Sequence, residues 1–399
     1  MLKTANPILN KALDGKRISE DEALELFDKA TALDLAYVAN ELRLRKHPDS
    51  EPTTYVVQRN VNYSNVCTAR CSFCAFYAPP GDEVAGFPGA YVLDYETELK
   101  PKIAELVAIN GTEILLQGGH NPALGLDYYT DLFTKIKRDF PGVTLHALSP
   151  AEIVHITEKR ITPVDIYGDG TNRSIIHEPS LEQIKEVLIE LQKAGMDSLP
   201  GAGAEILVES VRKIIAPLKI TTQVWLDVME LAHSLGMRSS ATMMYGHVET
   251  YADRVEHMRV LRDLQDRTHG FTAFVNWNFQ AGETPLAKIM TSLEKQGKLP
   301  AYNKNSSGDD YLRTTAIARI YLDNIDNFQA SWVTQGHQLG QASLAFGCND
   351  LGGNMMEENV VSAANTTHHA NVQEMIYYIE ATGREAAQRN TQYELIAGN

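Results

Sequence analysis

The chain has 399 residues, 44% of them hydrophobic, with 36 Lys and Arg against 51 Asp and Glu, a formal charge of −15. That length and apolar content suit one large α/β domain with extensions and exclude global disorder. The acidic balance argues against a nucleic-acid-binding surface and against a polybasic membrane anchor. The N-terminus, MLKTANPILNKALDGK, lacks the apolar core of a secretory signal, and no stretch reaches the roughly 18 uncharged apolar residues of a membrane span, so a soluble cytoplasmic protein is expected. Four cysteines make no disulfide framework, and three of them fall within eight residues, which points to metal.

Residues 1–53 read as a helical extension. Ser19-Glu20-Asp21-Glu22 has the form of a capping box ahead of Ala23, Leu24, Leu26 and Phe27. A second apolar run follows at Leu33, Leu35, Val38, Ala39 and Leu42. From residue 54 onward short β-rich runs alternate with amphipathic helices. The expected strands are TYVVQRNVN (54–62), TEILLQGG (112–119), VTLHALS (143–149), MDSLP (196–200), RSSATMMYG (238–246), FTAFVNWNF (271–279), NFQASWV (327–333) and a weak one near AFGCND (345–350). Among the helices, LEQIKEVLIELQKAG (181–195) is closed by Gly195, and YADRVEHMRVLRDLQ (251–265) is clearly amphipathic. Such alternation predicts a parallel sheet, and eight repeats predict an α/β fold, a (β/α)8 TIM-type barrel. Residues 54–290 would form its core and 291–399 would complete it with closing helices. Two stretches break the pattern: 161–180, a turn-rich excursion, and 291–310, a polar surface loop. In these barrels the chemistry sits at the C-terminal ends of the strands.

The cysteines stand as Cys67-Thr68-Ala69-Arg70-Cys71-Ser72-Phe73-Cys74, a C-x3-C-x2-C run just after the first expected strand. Soft thiolates suit an iron–sulfur cluster or zinc. A structural zinc site usually pairs two short Cys/His clusters, and no second one is present. Three sulfurs on one compact loop instead suit a 4Fe–4S cluster with one iron left open. Cys348 is too remote in sequence to complete the set locally and is expected to be a buried free thiol. An open iron can bind the amino and carboxylate groups of S-adenosylmethionine (SAM), the chemistry of a radical SAM enzyme. Phe73 is a candidate to pack on the SAM adenine.

Other strand ends carry further candidates. Gln117-Gly118-Gly119-His120 closes the second strand, and paired glycines admit a ligand close to the backbone, here the SAM amino group. His146 and Ser149 end the third strand. Pro200-Gly201-Ala202-Gly203-Ala204-Glu205 follows the fourth. Met243-Met244-Tyr245-Gly246-His247 ends the fifth, and Trp277, Asn278 and Gln280 end the sixth. Trp332, Thr334 and Gln335 follow the seventh, and Asn349 and Asp350 the eighth. This ring of Gln, His, Tyr, Asn and Trp is polar, aromatic and low in charge, and it suits an uncharged, ring-bearing, hydroxyl-rich substrate. His155, His177, His233 and His257 fall in helices or loops, and Trp225 in a helix.

The stretch Cys67–Tyr77 with Gln117-Gly118-Gly119-His120-Asn121-Pro122 resembles the menaquinone/deazaflavin branch of radical SAM enzymes. Within it, His146–Pro150, Asp197–Leu207, Ala241–Thr250, Trp277–Gln280 and Ala330–Gly336 resemble the cyclic dehypoxanthinyl futalosine synthases, and the likeness runs from about residue 10 to 395. The resemblance implies a radical SAM barrel holding a 4Fe–4S cluster and consuming SAM. It implies dehypoxanthine futalosine as substrate, hydrogen abstraction from ribose C4′, radical addition to the benzoate ring, and a place in menaquinone synthesis. An electron donor such as flavodoxin or ferredoxin is implied as partner. The substrate carboxylate would need a donor from Arg59, Asn278 or Gln280, and the base would be His247, Tyr245 or Glu205, with His247 favoured because its ordinary pKa lies near neutrality. His120 and Trp277 would line the substrate side. Aminofutalosine synthase and the deazaflavin-forming synthase subunit share the branch. A non-catalytic iron–sulfur or zinc protein is the alternative of another class.

Overall fold

The computed structural model describes residues 3–80, 89–161, 178–303, 307–364 and 368–396. The N-terminal extension forms three helices, α1 (Pro7–Leu13), α2 (Glu20–Lys29) and α3 (Ala32–Lys46). Ser19 caps α2 in a full capping box with Glu22, as the sequence predicts. Leu9, Leu26, Leu35 and Val38 are wholly buried in the main hydrophobic core, so the extension packs on the barrel.

Ten strands follow, all parallel where they pair: β1 (Thr53–Val56), β2 (Gln58–Asn62), β3 (Glu113–Gln117), β4 (Thr144–Ala147), β5 (Ser198–Leu199), β6 (Arg238–Tyr245), β7 (Phe271–Asn278), β8 (Asn327–Gln329), β9 (Asp350–Gly353) and β10 (Ala386–Gln388). The sheet order is β10-β1-β9-β8-β7-β6-β5-β4-β3-β2. Only Val57 separates β1 from β2, so the two are halves of one strand path. Along that path the Tyr55 and Val57 carbonyls accept from Arg389 and Thr112 N–H on one side, and the Val56 carbonyl accepts from Asn354 N–H on the other. Carbonyls alternate in direction along a strand. β9 therefore lies on one side of the path, with β10 and β3 stacked on the other. This joins the two ends of the sheet and closes an eight-path barrel of the expected (β/α)8 kind.

Helices cover the outside: α4 (Lys100–Ala108), α5 (Leu126–Asp139), α6 (Pro150–Ile161), α7 (Leu181–Ala194), α8 (Glu209–Ile215), α9 (Thr222–Ser234), α10 (Tyr251–Thr268), α11 (Pro285–Lys295), α12 (Gly308–Tyr321), α13 (Trp332–Gln335), α14 (His337–Ser343) and α15 (Val372–Glu380). Their apolar faces pack inward, for example Ile184, Val187, Leu188 and Leu191 of α7. Trp225 is fully buried in α9.

Four expectations need correction. The strand 54–62 is broken at Val57, where its partner changes. The weak eighth strand lies later, at Asp350–Gly353, because Leu344–Phe346 winds into a 3-10 turn. β10 was not expected: three residues, Ala-Ala-Gln, carry too little pattern. The surface loop 291–310 is helical as far as Lys295, because α11 buries Leu286 and Met290. Most of the 161–180 excursion, with His177, lies outside the described residues.

Candidate active site

A cavity of about 420 Å³ occupies the barrel interior and its mouth. Strand alternation decides who faces it. On β2, Gln58, Asn60 and Asn62 line the cavity while Arg59 and Val61 do not. On β6, Ser240 and Thr242 line it, and on β7, Ala273, Val275 and Trp277, with Thr272 at the start of that strand. The inner wall is therefore mixed: polar on β2 and β6, and largely apolar on β7 and at Leu115 of β3.

The cysteine loop follows β2 and is pinned by backbone hydrogen bonds to several neighbouring segments. Cys67 N donates to Ala78 O (2.9 Å), Thr68 N to His120 O (3.1 Å) and Ser72 N to Ile215 O (2.8 Å), and Ser72 O accepts from Leu286 N (2.8 Å). All three thiols are free and line the same cavity. Burial pushes the Cys71 thiol up to about 12, against the pull of the Lys219 charge. Burial also raises Cys74, against the Phe76 and Tyr77 N–H groups. Burial thus favours the protonated forms of Cys71 and Cys74, whose protons a metal displaces on binding. Among the described residues, no three His, Cys, Asp or Glu side chains converge on a single ion. A cubane asks for something else, since each thiolate binds its own iron. A soft three-thiol donor set on one tethered loop, facing the barrel cavity, fits that group.

Gly118 and Gly119 also line the cavity, and the structure shows why they are small. A Cβ on Gly119 would stand 2.1 Å from Val66 O and 2.9 Å from Cys67 Cβ; one on Gly118 would enter the Tyr63 ring at 2.5 Å. The strand end thus touches the backbone that carries the first cysteine. Gly118 N donates to Glu152 Oε1 (2.9 Å), Tyr63 OH donates to the same oxygen (2.8 Å), and Ser149 N donates to Glu152 Oε2 (2.7 Å). Burial raises the Glu152 carboxyl against these donors.

Glu205 lies on the cavity wall in a left-handed conformation, φ +43°. Such a backbone in a non-glycine residue costs energy and marks a position held by its surroundings. Its Oε1 accepts from Lys219 Nζ at 2.8 Å, and Arg212 stands 3.7 Å from Oε2. Lys219 Nζ sits 5.6 Å over the Phe73 ring, between the second and third cysteines. Burial opposes its charge, but Glu205 and Cys71 outweigh burial, so Lys219 stays protonated well above the usual range.

Of the residues singled out in the sequence, Cys67, Cys71, Cys74, Phe73, Gln117, Gly118, Gly119, His120, Ser149, Glu205 and Trp277 line one cavity. His120 stacks on His155 at 5.2 Å. His146, Trp332 and Thr334 line that cavity too, whereas five of the candidate catalytic and substrate-binding residues are placed elsewhere. Arg59 points outward, its guanidinium held by Glu105 (2.6 Å) and Glu357 (3.1 Å). Tyr245 is wholly buried on the outer face of β6, its ring 4.4 Å from the Arg254 guanidinium, and burial raises its phenol well above 10. His247 is wholly buried, with Val248 N donating to Nδ1 (2.8 Å) and Nε2 facing Met244 O (3.2 Å). Burial lowers its pKa, against the Glu249 carboxylate, so its near-neutral reference value does not carry over. Asn278 Oδ1 accepts from Gln280 Nε2 (2.9 Å) and Gln335 Nε2 (2.5 Å), and neither Asn278 nor Gln280 reaches the cavity wall. Neither the favoured base, His247, nor any of the three candidate carboxylate donors, Arg59, Asn278 and Gln280, lies on the cavity wall.

Sequence reasoning passed over Asn60, Glu152, Lys219 and Glu358, all on the cavity wall. Glu152 carries a local signal: Ser149-Pro150-Ala151-Glu152 is a capping-box pattern. The others are assembled only by the fold.

Comparison with known proteins places the chain in a family. The model described as Radical SAM superfamily matches residues 61–261, and that described as the CofH/MqnC C-terminal region matches 268–398. A cyclic dehypoxanthine futalosine synthase of Halalkalibacterium halodurans is 43% identical over 98% of this chain and 94% of its own. One of Streptomyces coelicolor is 41% identical over 97% and 88%. A 5-amino-6-(D-ribitylamino)uracil–L-tyrosine 4-hydroxyphenyl transferase of Methanosarcina acetivorans is 36% identical over 100% and 96%. Among solved structures, methylornithine synthase superposes with a TM-score of 0.66 at 14% identity, covering 95% of this chain and 97% of its own. The FeFe-hydrogenase maturase HydG of Carboxydothermus hydrogenoformans gives 0.69 at 14%, covering 97% and 80%, a likeness of fold alone. With its three-thiol loop at the barrel mouth and near-full-length relatives, the chain belongs to the radical SAM superfamily, whose enzymes use a 4Fe–4S cluster and SAM.

Proposed function

We propose that this enzyme is a cyclic dehypoxanthine futalosine synthase, closing a ring between the ribose C4′ and the benzoate ring of dehypoxanthine futalosine for menaquinone synthesis. The observation that carries the reading is the pair of relatives of that name at 43% and 41% identity over nearly the whole chain. When bound, the cluster and SAM supply a 5′-deoxyadenosyl radical. In this reading Cys67, Cys71 and Cys74 hold the cluster. Gln117, Gly118, Gly119 and Ser149 hold the SAM side, with Phe73 against its adenine. His120 and Trp277 face the substrate, and the barrel wall excludes water from the radical. Of the three candidate bases only Glu205 is on the cavity wall, and its ion pair with Lys219 favours a positioning role. A flavodoxin or ferredoxin would deliver the electron.

The transferase relative at 36% identity supports a second reading, 4-hydroxyphenyl transfer from tyrosine to a ribityl acceptor. One assay separates the two: anaerobic reconstituted enzyme with SAM, a reductant and each substrate. Substrate-dependent 5′-deoxyadenosine with a product about two mass units lighter supports the cyclase. SAM cleavage that ignores dehypoxanthine futalosine and responds to tyrosine with the ribityl compound refutes it.

A further inference from the structure

The chain after β9 returns to the barrel mouth and clamps β2 from both faces. On the outer face, Glu357 holds Arg59 (3.1 Å) and Lys102 (2.5 Å). On the inner face, Glu358 Oε2 accepts from Asn60 Nδ2 (2.9 Å), and Asn359 Nδ2 donates to Asn62 Oδ1 (3.2 Å). Glu358 Oε1 accepts from the Val360 and Val361 N–H groups at 2.7 and 2.8 Å. Both Glu358 and Asn60 line the cavity.

Two acceptor positions in this corner are unspent. Asn60 is 4% exposed, and among the described residues its Oδ1 has no hydrogen-bond partner. A carboxylate offers about four acceptor sites, and the contacts named for Glu358 fill three. A buried amide oxygen without a donor is costly, and a bound ligand can relieve it. An ionised carboxylate beside an amide oxygen presents acceptors only. It repels another carboxylate and takes hydroxyl donors. Burial pushes the Glu358 carboxyl upward, and the Val361 N–H, the Asn60 amide and the Val360 N–H pull it back.

We infer that the Asn60–Glu358 pair reads sugar hydroxyls of the substrate, taking the ribose end of dehypoxanthine futalosine and turning its benzoate away. This rests on the cyclase reading for the identity of the ligand, and the chemistry is that of any polyhydroxylated five-carbon group. SAM carries a ribose too, so the test separates the two sources.

The experiment measures binding of dehypoxanthine futalosine, 5-amino-6-(D-ribitylamino)uracil and SAM, each separately, to the reconstituted holoenzyme and to Glu358→Gln and Asn60→Ala. Glu358→Gln is nearly isosteric, and a turned Asn60 amide can meet the new NH2 group; iron content and melting temperature confirm that each variant is folded and loaded. Loss of a charge-assisted hydrogen bond should weaken dehypoxanthine futalosine by about 10- to 100-fold and leave SAM unchanged. An unchanged dehypoxanthine futalosine affinity in both variants overturns the inference, as does a loss that falls on SAM instead. If the wild type binds the ribityl compound and ignores dehypoxanthine futalosine, the cyclase reading fails. The pair is then judged on the ribityl compound by the same two variants: weakened binding upholds it and unchanged binding overturns it. Binding of neither compound overturns both.

Discussion

Gly119→Ala tests how the cysteine loop is seated. Gly119 has no left-handed φ, so the substitution acts through space alone. The new Cβ would lie 2.1 Å from Val66 O, 2.7 Å from Val66 C and 2.9 Å from Cys67 Cβ. Carbon and oxygen normally close to about 3.3 Å, so the overlap is about 1 Å. The obstacle is backbone, and Gly119 N itself donates to Ser64 O at 2.8 Å, so no side chain can swing aside. Overpacking of this kind costs about 1–3 kcal/mol, which a large barrel survives. The relief comes from moving the segment that carries Cys67, and a shift of that size exceeds the roughly 0.5 Å tolerance of a functional constellation. Anaerobic reconstitution followed by iron and sulfide analysis, electron paramagnetic resonance of the reduced cluster and thermal melting would read the outcome. The variant should keep its circular dichroism, melt a few degrees lower, and lose both cluster and SAM cleavage. Gly125→Ala, where a Cβ meets nothing within 4 Å, should behave as wild type. A Gly119→Ala protein with a full cluster and normal SAM cleavage would refute the seating argument.

Cys71→Ala should lose the cluster and SAM cleavage, whereas Cys348→Ser, at a fully buried thiol pushed up to about 11 by burial, should keep its iron. Tyr245→Phe should leave turnover unchanged and stability within about 1 kcal/mol, because among the described residues its hydroxyl has no partner and it lies off the cavity; a large loss of turnover would return Tyr245 to the chemistry. Lys219→Met removes a buried cation beside Phe73 and the cysteines. Loss of a nearby positive charge disfavours the added electron, so the cluster midpoint should fall, by on the order of tens of millivolts, read by redox titration without SAM. Burial lowers His233 to about 4, with Arg238 adding to it, and lowers His257 to about 3. The unfolded chain then binds more protons than the native one below about pH 6.5, so stability should fall as pH drops from there toward 4. His233→Gln should flatten that fall in melting experiments.

The chain by itself determined what local pattern can carry. Three thiols within eight residues are close whatever the fold does, so the cluster loop is legible from spacing. Strand–helix alternation places eight strand paths, and the capping box of α2 needs only four neighbouring residues. Tertiary structure decided which face each strand residue presents. Arg59 and Asn60 are neighbours, yet Arg59 meets Glu105 and Glu357 outside while Asn60 faces the cavity. Neither side chain is apolar, so a rule of apolar side chains inward cannot choose between them; the parity set by the closed barrel does. The same parity turns Tyr245 toward Arg254 and away from the site. Partners distant in sequence were invisible for a simpler reason. Asn60 and Glu358 are 298 residues apart, and β10, which Arg389 follows, is three residues long. No local preference encodes such meetings; they exist only once the strand path 53–62 has joined β9 to β3 and closed the barrel.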